Sequence, residues 1–486
     1  MIRERSKPAY LTVYLAMTLG VLVTLCLAMI EGIRLNTMQM ELTCIADACT
    51  DNVMAEYHRE LFGRYNLVAL DSSYGSKTVG RTNVEGRLAW YLDKNLDFGR
   101  DKLPIAIRSS CKDLLGMRLN GVTITDFSLL TDWNGAVFRK QAVEAIKDDY
   151  GVVALQEAFN WLKTVEDYQL DVRDVEAEKQ AVDAKIASYQ GRELEETKKP
   201  LSFENPTIRI ENAKKTGILW MVLGNRPLSG KVMDFSDLAY QRAMEKRTNH
   251  GTIVLPEQNV LQKRGEALLF DEYLLSYFGN YLEPKENCVL DYEVEYVLAG
   301  KNHDGANLRS VLNRLLALRE AANATYLFSD KTKCDEVEAV ALVLSALIGE
   351  PELKDLFKTS ILLGWAYVES VYDLKVLMRE GRVPLMKDAG SWHYGFSGIL
   401  EGTWDAMIGT GEQKGLSYQD YLRILLSLAN ETDVNGRAMN LVEGNLRLTP
   451  GNKNFRLDAC YVRIATDISV GSGYGYQLEI REDKHY

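Results

Sequence analysis

The residues with the best spacing for chemistry are three acids in the stretch LDYEVEY. A β-strand would place Asp291, Glu293 and Glu295 on one face. Glycosidases also use paired carboxylates, but theirs stand about 5–9.5 Å apart across a cleft and usually come from different elements. We therefore expect a charged, exposed face on a strand from Cys288 to Ala299, and we assign no catalytic residue.

Other residues that could carry chemistry are scattered. Gly395–Ile399 lacks the second glycine that a nucleophile elbow needs. There is no Cys-x-x-Cys pair, no phosphate loop and no His-Glu-x-x-His motif, so we predict neither a metal site nor a cofactor. The histidines stand singly, at His58, His250, His303, His393 and His485.

Two glycine-containing stretches resemble ligand loops without matching them. Asp433–Gly436 resembles the centre of a calcium loop, but with Gly436 at position six, Val442 occupies position twelve, where a bidentate carboxylate is required. Gly471–Gly475 has its glycines in the wrong order for a dinucleotide fingerprint and precedes a strand pattern. We predict an ordinary turn at the first and a connection between strands at the second.

A membrane anchor is the clearest feature of the chain. Tyr10–Ile30 contains no charge, and as a helix it reaches about 31 Å, the thickness of a bilayer core. The run is longer than the apolar region of a secretory signal and lacks a small-x-small cleavage site, so retention is favoured over cleavage, and a buried core helix is the other alternative. Basic residues before the span predict a cytoplasmic tail at 1–8, an anchor at 9–31 and a head outside the cytoplasm; these residues are Arg3, Arg5 and Lys7.

The net charge restricts the partners of the head. The whole chain carries −11, and because residues 1–8 hold three basic side chains and one acidic one, the remainder carries −13. Such an acidic body is unsuited to nucleic acid or anionic lipid headgroups. The next apolar helix, Ser360–Met378, includes Glu369 and Asp373, which favour a protein interior over lipid. We expect contact with the bilayer only through residues 10–30.

Cysteine usage leaves the thiol state open. Cys26 lies in the anchor, and six others would lie outside the membrane, where they could pair or remain free. Cys44 and Cys49 cannot pair on a continuous helix, since about 7.5 Å of rise separates them. The remaining four are Cys111, Cys288, Cys334 and Cys460.

The pattern after the span predicts an α+β protein that is mostly helical. Apolar residues at three- or four-residue steps continue the anchor as one long helix to about Tyr65, weakest at Gly32, the shape seen in pilins and pseudopilins. The alternative is an anchor followed by a separate helix. A helix at Val84–Leu96, a strand at Leu119–Leu130 and a turn at Asp132–Gly135 complete a small α/β region over residues 32–135.

Residues 136–198 are predicted to form a helical hairpin or short coiled coil, with self-association through residues 165–190 as an option. The prediction rests on a heptad series that only Lys179 interrupts: Tyr168, Val172, Val175, Lys179, Val182, Ile186 and Tyr189.

The head is predicted to cover residues 199–486. We expect a strand at Thr207–Ile210, consecutive helices over 261–380, and two C-terminal strands from the alternation in 455–461 and 474–480.

Five stretches of the chain carry a resemblance to known proteins: His58–Gly75, Thr131–Lys147, Leu290–Leu327, Ala366–Lys387 and Leu416–Arg447. They resemble an uncharacterised family of single-span membrane proteins from Gram-positive bacteria. Members of that family tend to occur with genes of tight-adherence (Tad) pilus systems, and their anchors resemble those of TadE and TadG pseudopilin-like proteins. The resemblance implies an accessory role in a Tad-like pilus or secretion complex, with pilus or secretion proteins as partners and no catalytic residues to transfer.

The N-terminus departs from that of a processed prepilin. No glycine precedes the apolar helix, and its first acid is Glu31, so we expect a permanently anchored protein. Glu31 and Arg34 can pair on one helix face at the membrane boundary, and we assign them a possible partner contact; alternatively, Arg34 extends toward the headgroups. Two other functions stay open, a cell-wall-glycan enzyme using residues 291–295 and a ligand-binding or sensory head.

Overall fold

Helix α1 runs without a break from Tyr10 to Met54, so the anchor and the helix beyond it are one element. In its most apolar 18-residue window none of the residues is buried, whereas from Met38 onward one face is covered. Gly32 does not interrupt the helix. The computed structural model describes residues 10–96, 115–147, 152–193, 200–246, 260–396 and 414–486.

Helices dominate the rest of the described chain. The N-terminal half contains α2 (Arg59–Tyr65), α3 (Arg81–Leu96), α4 (Asp132–Ile146), α5 (Val152–Asp167), α6 (Val175–Ala187), α7 (Ile208–Lys214), α8 (Ile218–Leu223) and α9 (Ala239–Lys246). The C-terminal half contains α10 (Val260–Tyr277), α11 (Glu293–Ala299), α12 (Asp304–Ser329), α13 (Lys331–Ile348), α14 (Leu353–Leu377), α15 (Tyr418–Ser427) and α16 (Glu431–Arg447).

One antiparallel sheet joins the two ends of the chain. Its strands are β1 (Leu70–Asp71), β2 (Met117–Leu129), β3 (Cys460–Ser472) and β4 (Gln477–His485). Strand β3 lies in the middle, with β2 on one side and β4 and β1 on the other. The predicted α+β class is confirmed, as are the strand at 119–130 and the helix at 84–96.

A small hydrophobic core forms where α1 and α3 cover this sheet. The buried face of α1 supplies Met38, Leu42, Ala46, Cys49 and Val53, which pack with Leu88 and Leu92 of α3 and with Ile464 and Ile468 of β3. Fully burying an aliphatic side chain contributes about 1.5–3 kcal/mol, so this packing fixes the second half of α1 to the sheet. The last strands therefore belong structurally with the α/β region that begins at residue 32.

The larger core belongs to the helical head. Helix α14 is buried along most of its length and packs against α6, α12 and α13. Glu369 and Asp373, the two acids that argued against a second span, lie inside this core with Arg319 and Lys387. We call these four residues the buried charge cluster.

The heptad series of residues 168–189 does not lie on one continuous helix. Helix α5 ends at Asp167, and Gln169 has a left-handed backbone (φ 53°), so residues 168–174 form a turn between two helices. Lys179 is buried, and two carboxylates compensate its charge there. Its ammonium group pairs with Asp183 and lies 3.4 Å from a carboxylate oxygen of Glu211. Helix α6 thus packs on α14 within the head, and the heptad spacing reflects that contact.

Two further local predictions are wrong. Thr207–Ile210 is the start of helix α7, not a strand. Asp433–Gly436 lies in the first turns of α16, where the Asn430 side chain accepts a hydrogen bond from the Asp433 N–H at 3.2 Å. Gly436 is required by packing, since an added Cβ would lie 2.2 Å from Cδ2 of Tyr240.

The long helix also ends earlier than predicted. Met54 closes α1, and His58 then caps α2 by accepting a hydrogen bond from the Leu61 N–H at 3.0 Å. The Asp132–Gly135 turn is present, and three consecutive residues there have positive φ: Trp133, Asn134 and Gly135. Residues 1–9, which include the basic residues used for orientation, lie outside the described chain, as does Cys111.

Candidate functional site at the helix–hairpin junction

Glu31 and Arg34 lie together at the end of the apolar span. Nη1 of Arg34 is 2.8 Å from Oε2 of Glu31, the i,i+3 pair that their spacing predicts. Both side chains are partly exposed, so the pair by itself contributes little to stability. The pair lies where the exposed, apolar part of α1 ends and the part that packs on the protein begins.

Two tyrosines near the C-terminus contact this pair, which the sequence did not predict. The hydroxyl of Tyr476 donates to Oε1 of Glu31 at 2.6 Å, and the Arg34 guanidinium lies 4.0 Å from the centre of the Tyr474 ring. The hydrogen bond to Glu31 raises the pKa of Tyr476. We call Glu31, Arg34, Tyr474 and Tyr476 the junction. The alternation of Tyr474 and Tyr476 with polar residues indicated a strand, but nothing in it indicated contact with α1.

The junction is one end of a longer contact between α1 and β4. Farther from the span, Lys484 pairs with Asp47 and lies 2.8 Å from Asp51, and the Tyr486 hydroxyl donates to the Met54 carbonyl. From residue 31 to 47 the helix rises about 24 Å, and from 476 to 484 the strand extends about 26 Å. Because the two lengths match, the strand follows the helix from the end of the apolar span to its last turn.

The acidic set predicted on a strand is located elsewhere. Glu293 and Glu295 lie in the first turn of helix α11, and they are 1% and 0% exposed. Glu293 accepts from the Gly279 N–H at 2.8 Å, and Glu295 accepts from the Tyr418 hydroxyl at 2.7 Å. The prediction of an exposed strand face is therefore wrong. It rested on the local alternation of acidic and other residues, whereas hydrogen bonds to other parts of the chain bury both glutamates. Asp291 pairs with Lys231 at 2.7 Å, outside this interior.

Burial sets the protonation of these carboxyl groups. It raises the pKa of Glu293, and it raises that of Glu295 to about 7 despite hydrogen bonds that oppose the shift. Both groups hold the α11 segment against neighbouring loops and helices. Their contacts support a structural role.

Comparison with known proteins places the head in a family. The profile of one protein family matches residues 196–472, more than half of the chain. The chain belongs to DUF5702, a family of unknown function. Neither the curated proteins nor the solved structures contain a match to it. The expected resemblance to an uncharacterised family is confirmed to that extent.

The DUF5702 match includes most of the helical head but not the two segments that form the junction. It covers the helical head and ends at Ser472, the last residue of β3. Helix α1 and strand β4, and so all four junction residues, lie outside it. The matched segment contains most of the larger core, whereas the small core under the sheet is built mainly by α1, α3 and β2, which lie outside the match.

Within the described part of this DUF5702 chain, no group of three or more His, Cys, Asp or Glu residues could hold a metal ion. Every cysteine in that part carries a free thiol. Burial raises the pKa of Cys288 to about 12, which makes its thiol a poor nucleophile at neutral pH. The described cysteines are Cys26, Cys44, Cys49, Cys288, Cys334 and Cys460.

Proposed function

We propose that this DUF5702 protein is anchored in the cell membrane by residues 10–30, with a cytoplasmic N-terminus. The head would work outside the cytoplasm as a non-enzymatic accessory component of a Tad-like pilus or secretion complex. The observation that carries the proposal is the continuity of α1, whose exposed apolar half and sheet-covered half form one rigid element. A force or displacement applied to the span would reach the head through the α1–β4 contact.

The surface of the span suits contact with partner helices. Small side chains recur at every fourth position, and an added Cβ at Gly20 would meet nothing within 4 Å. Such spacing lets helix backbones approach closely in a bilayer, where van der Waals packing drives association. The positions are Ala16, Gly20, Thr24 and Ala28. This pattern supports recruitment through the anchor.

Truncation of the anchor tests the proposal directly. We expect the tagged full-length protein, extracted from native membranes in mild detergent, to co-purify with pilus or secretion proteins. A chain that begins at residue 32 should lose both the membrane fraction and those partners. Mass spectrometry of both eluates gives the answer, and recovery of the same partners with the truncated chain would contradict recruitment through the anchor.

A second experiment tests the junction. We expect Glu31→Leu to insert normally into the membrane, because the variant removes a charge next to an apolar span, but to retain fewer partner proteins. Tyr476→Phe is the matched control for the intramolecular contact, since it deletes the hydroxyl that binds Glu31 and leaves the carboxylate in place. The readout is the amount of partner per anchored molecule.

The two variants separate the possible causes. Loss with Glu31→Leu alone indicates that the carboxylate faces the partner. Loss with both indicates that the position of the β3–β4 hairpin matters. Unchanged co-purification with both variants would remove the junction from partner binding.

A further inference from the structure

A cleft of about 830 Å³ lies between helix α4 and the C-terminal hairpin, at the end of the hairpin away from the junction. Its walls are mainly apolar and include Val68, Val137 and Val462. Two aromatic residues, Trp133 and Tyr486, stand at its rim and are 40% and 37% exposed. The volume is that of a site for a small organic ligand.

The backbone that presents Trp133 is strained. Trp133 and Asn134 have φ values of 57° and 56°, and left-handed residues other than glycine each cost about 1–3 kcal/mol. The turn is held by its surroundings, since the Asn435 amide donates to the Asn134 carbonyl at 3.3 Å and Asp132 accepts from the Leu129 N–H at 2.8 Å. Such strain is typical of ligand-binding segments, and here it fixes an indole at the mouth of a cleft.

Ser128 supplies the second, independent sign of a ligand. The residue lines the cleft and is 1% exposed, and its Oγ has no hydrogen-bond partner among the described residues. A buried hydroxyl without a partner costs about 1–3 kcal/mol. A ligand hydroxyl or amide that enters the cleft would satisfy it.

Two basic and two acidic side chains line the cleft, Lys140 and Arg463 against Glu144 and Asp483, and this balance indicates a neutral ligand. Arg463 donates to Asp483 at 2.8 Å on one wall. On the opposite wall Lys140 and Glu144 stand four residues apart on α4. With both signs present on each wall, a strongly anionic or cationic ligand gains no net attraction.

The height of the cleft above the proposed membrane boundary restricts the ligand further. Tyr486, at the rim, bonds to Met54, and α1 rises about 35 Å between Glu31 and Met54. This step rests on the proposed anchor. At that height the cleft opens to water, beyond the reach of acyl chains in the bilayer.

We propose that the cleft binds a neutral N-acetylated oligosaccharide. The apolar C–H face of a pyranose ring stacks on an aromatic ring such as Trp133, which combines contact area with rigidity. The acetamide group supplies a hydrogen-bond partner for Ser128, and its methyl group fits the valine-lined wall. An uncharged sugar also matches the balanced charges of the rim.

The test uses the full-length protein in detergent micelles and tetra-N-acetylchitotetraose as the probe. Binding is measured by titration calorimetry, with cellotetraose as the sugar that lacks acetamide groups. Trp133→Asn removes the indole and keeps a residue that tolerates left-handed φ, so the fold should persist. Trp90→Gln is the control at another exposed tryptophan, on α3.

We expect the wild type and Trp90→Gln to bind the acetylated probe equally, and Trp133→Asn to bind at least about tenfold more weakly. Ser128→Ala should weaken binding by about three- to tenfold while leaving the melting temperature of the free protein unchanged or higher, because it deletes an unpartnered group. Cellotetraose should bind more weakly than the acetylated probe.

Several results would overturn the proposal. They are the absence of binding by the wild type, undiminished binding by Trp133→Asn, or equal affinity for cellotetraose. Tighter binding of a capped, valine-rich tetrapeptide would assign the cleft to a protein partner instead. Glu31→Leu should bind the probe normally, so failure here is distinguishable from failure of the proposed assembly role.

Discussion

Arg319→Met is expected to destabilise the helical head strongly. Arg319 is fully buried, and its guanidinium donates to Asp373 at 3.0 Å and to the Tyr421 hydroxyl at 3.0 Å. Lys387 pairs with the same Asp373 at 2.6 Å and also with Glu369. Two cations thus face two carboxylates inside the helical core.

The expected loss is about 3–5 kcal/mol in the free energy of unfolding, because removing one member of a buried ion pair leaves its partner uncompensated. Burial alone would raise the pKa of Glu369, but hydrogen bonds from His393 and Lys387 and the lysine charge hold it below its usual range. The cluster therefore favours the ionised form of Glu369. Without Arg319 it carries a net negative charge that the surrounding core cannot solvate.

Arg309→Met on the same helix is the matched control. Arg309 is exposed, so its replacement should change the unfolding free energy by no more than about 0.5 kcal/mol. Adding Asp373→Asn to Arg319→Met restores the charge balance, and we expect the double variant to be more stable than the single one. Urea unfolding followed by circular dichroism measures all three. A double variant less stable than Arg319→Met would show that packing, and not charge, dominates.

The parts of the fold that the sequence predicted are those with a strong local signal. The β-branched run at 119–130 and the Asp-Trp-Asn-Gly turn after it are both present. By contrast, α11 has only seven residues and is buried on nearly every side, so it has no amphipathic period. Its Glu-Val-Glu-Tyr alternation imitated a strand, and its two glutamates are buried because residues far away in the chain, Tyr418 and Asn445, bind them.

Only the part of the candidate site that is local in sequence, the pair of Glu31 and Arg34, was predictable. The i,i+3 spacing of Glu31 and Arg34 is enough to predict their pairing, and the structure brings them together. Tyr476 lies 445 residues farther along the chain from Glu31, and a single sequence contains no signal for that contact. The same holds for the cleft, whose walls come from residues 66–68, 128–145 and 462–486.

Glu295→Gln should become more stabilising as the pH rises. The carboxyl group has a pKa of about 7 in the folded protein against 4.5 as the reference value, because burial disfavours its charged form. Between these two values the folded state holds a proton that the unfolded state has released, so stability falls as the pH increases through this window. Above pH 7 the penalty reaches about 3 kcal/mol, and glutamine, which cannot ionise, does not incur it.

The comparison is made by urea unfolding at pH 5 and at pH 8. Glutamine keeps an oxygen for the Tyr418 hydroxyl and the Tyr281 N–H, while its amide occupies the place of Oε2, which lacks a partner in the described chain. Any cost of that amide is the same at both pH values, so the change with pH is the quantity to read.

Asp291→Asn provides a control of opposite sign. Although burial opposes it, the hydrogen bond from Lys231 lowers the pKa of Asp291, so its carboxylate stabilises the fold at neutral pH and ceases to do so in acid. Asp291→Asn should therefore be mildly destabilising at pH 7, an effect that disappears as the pH falls through the folded pKa. If Glu295→Gln instead follows the wild type in parallel from pH 5 to pH 8, Glu295 is ionised in the folded head. The interior near Tyr418 must then admit water, because a carboxylate with a free oxygen does not persist in a dry core.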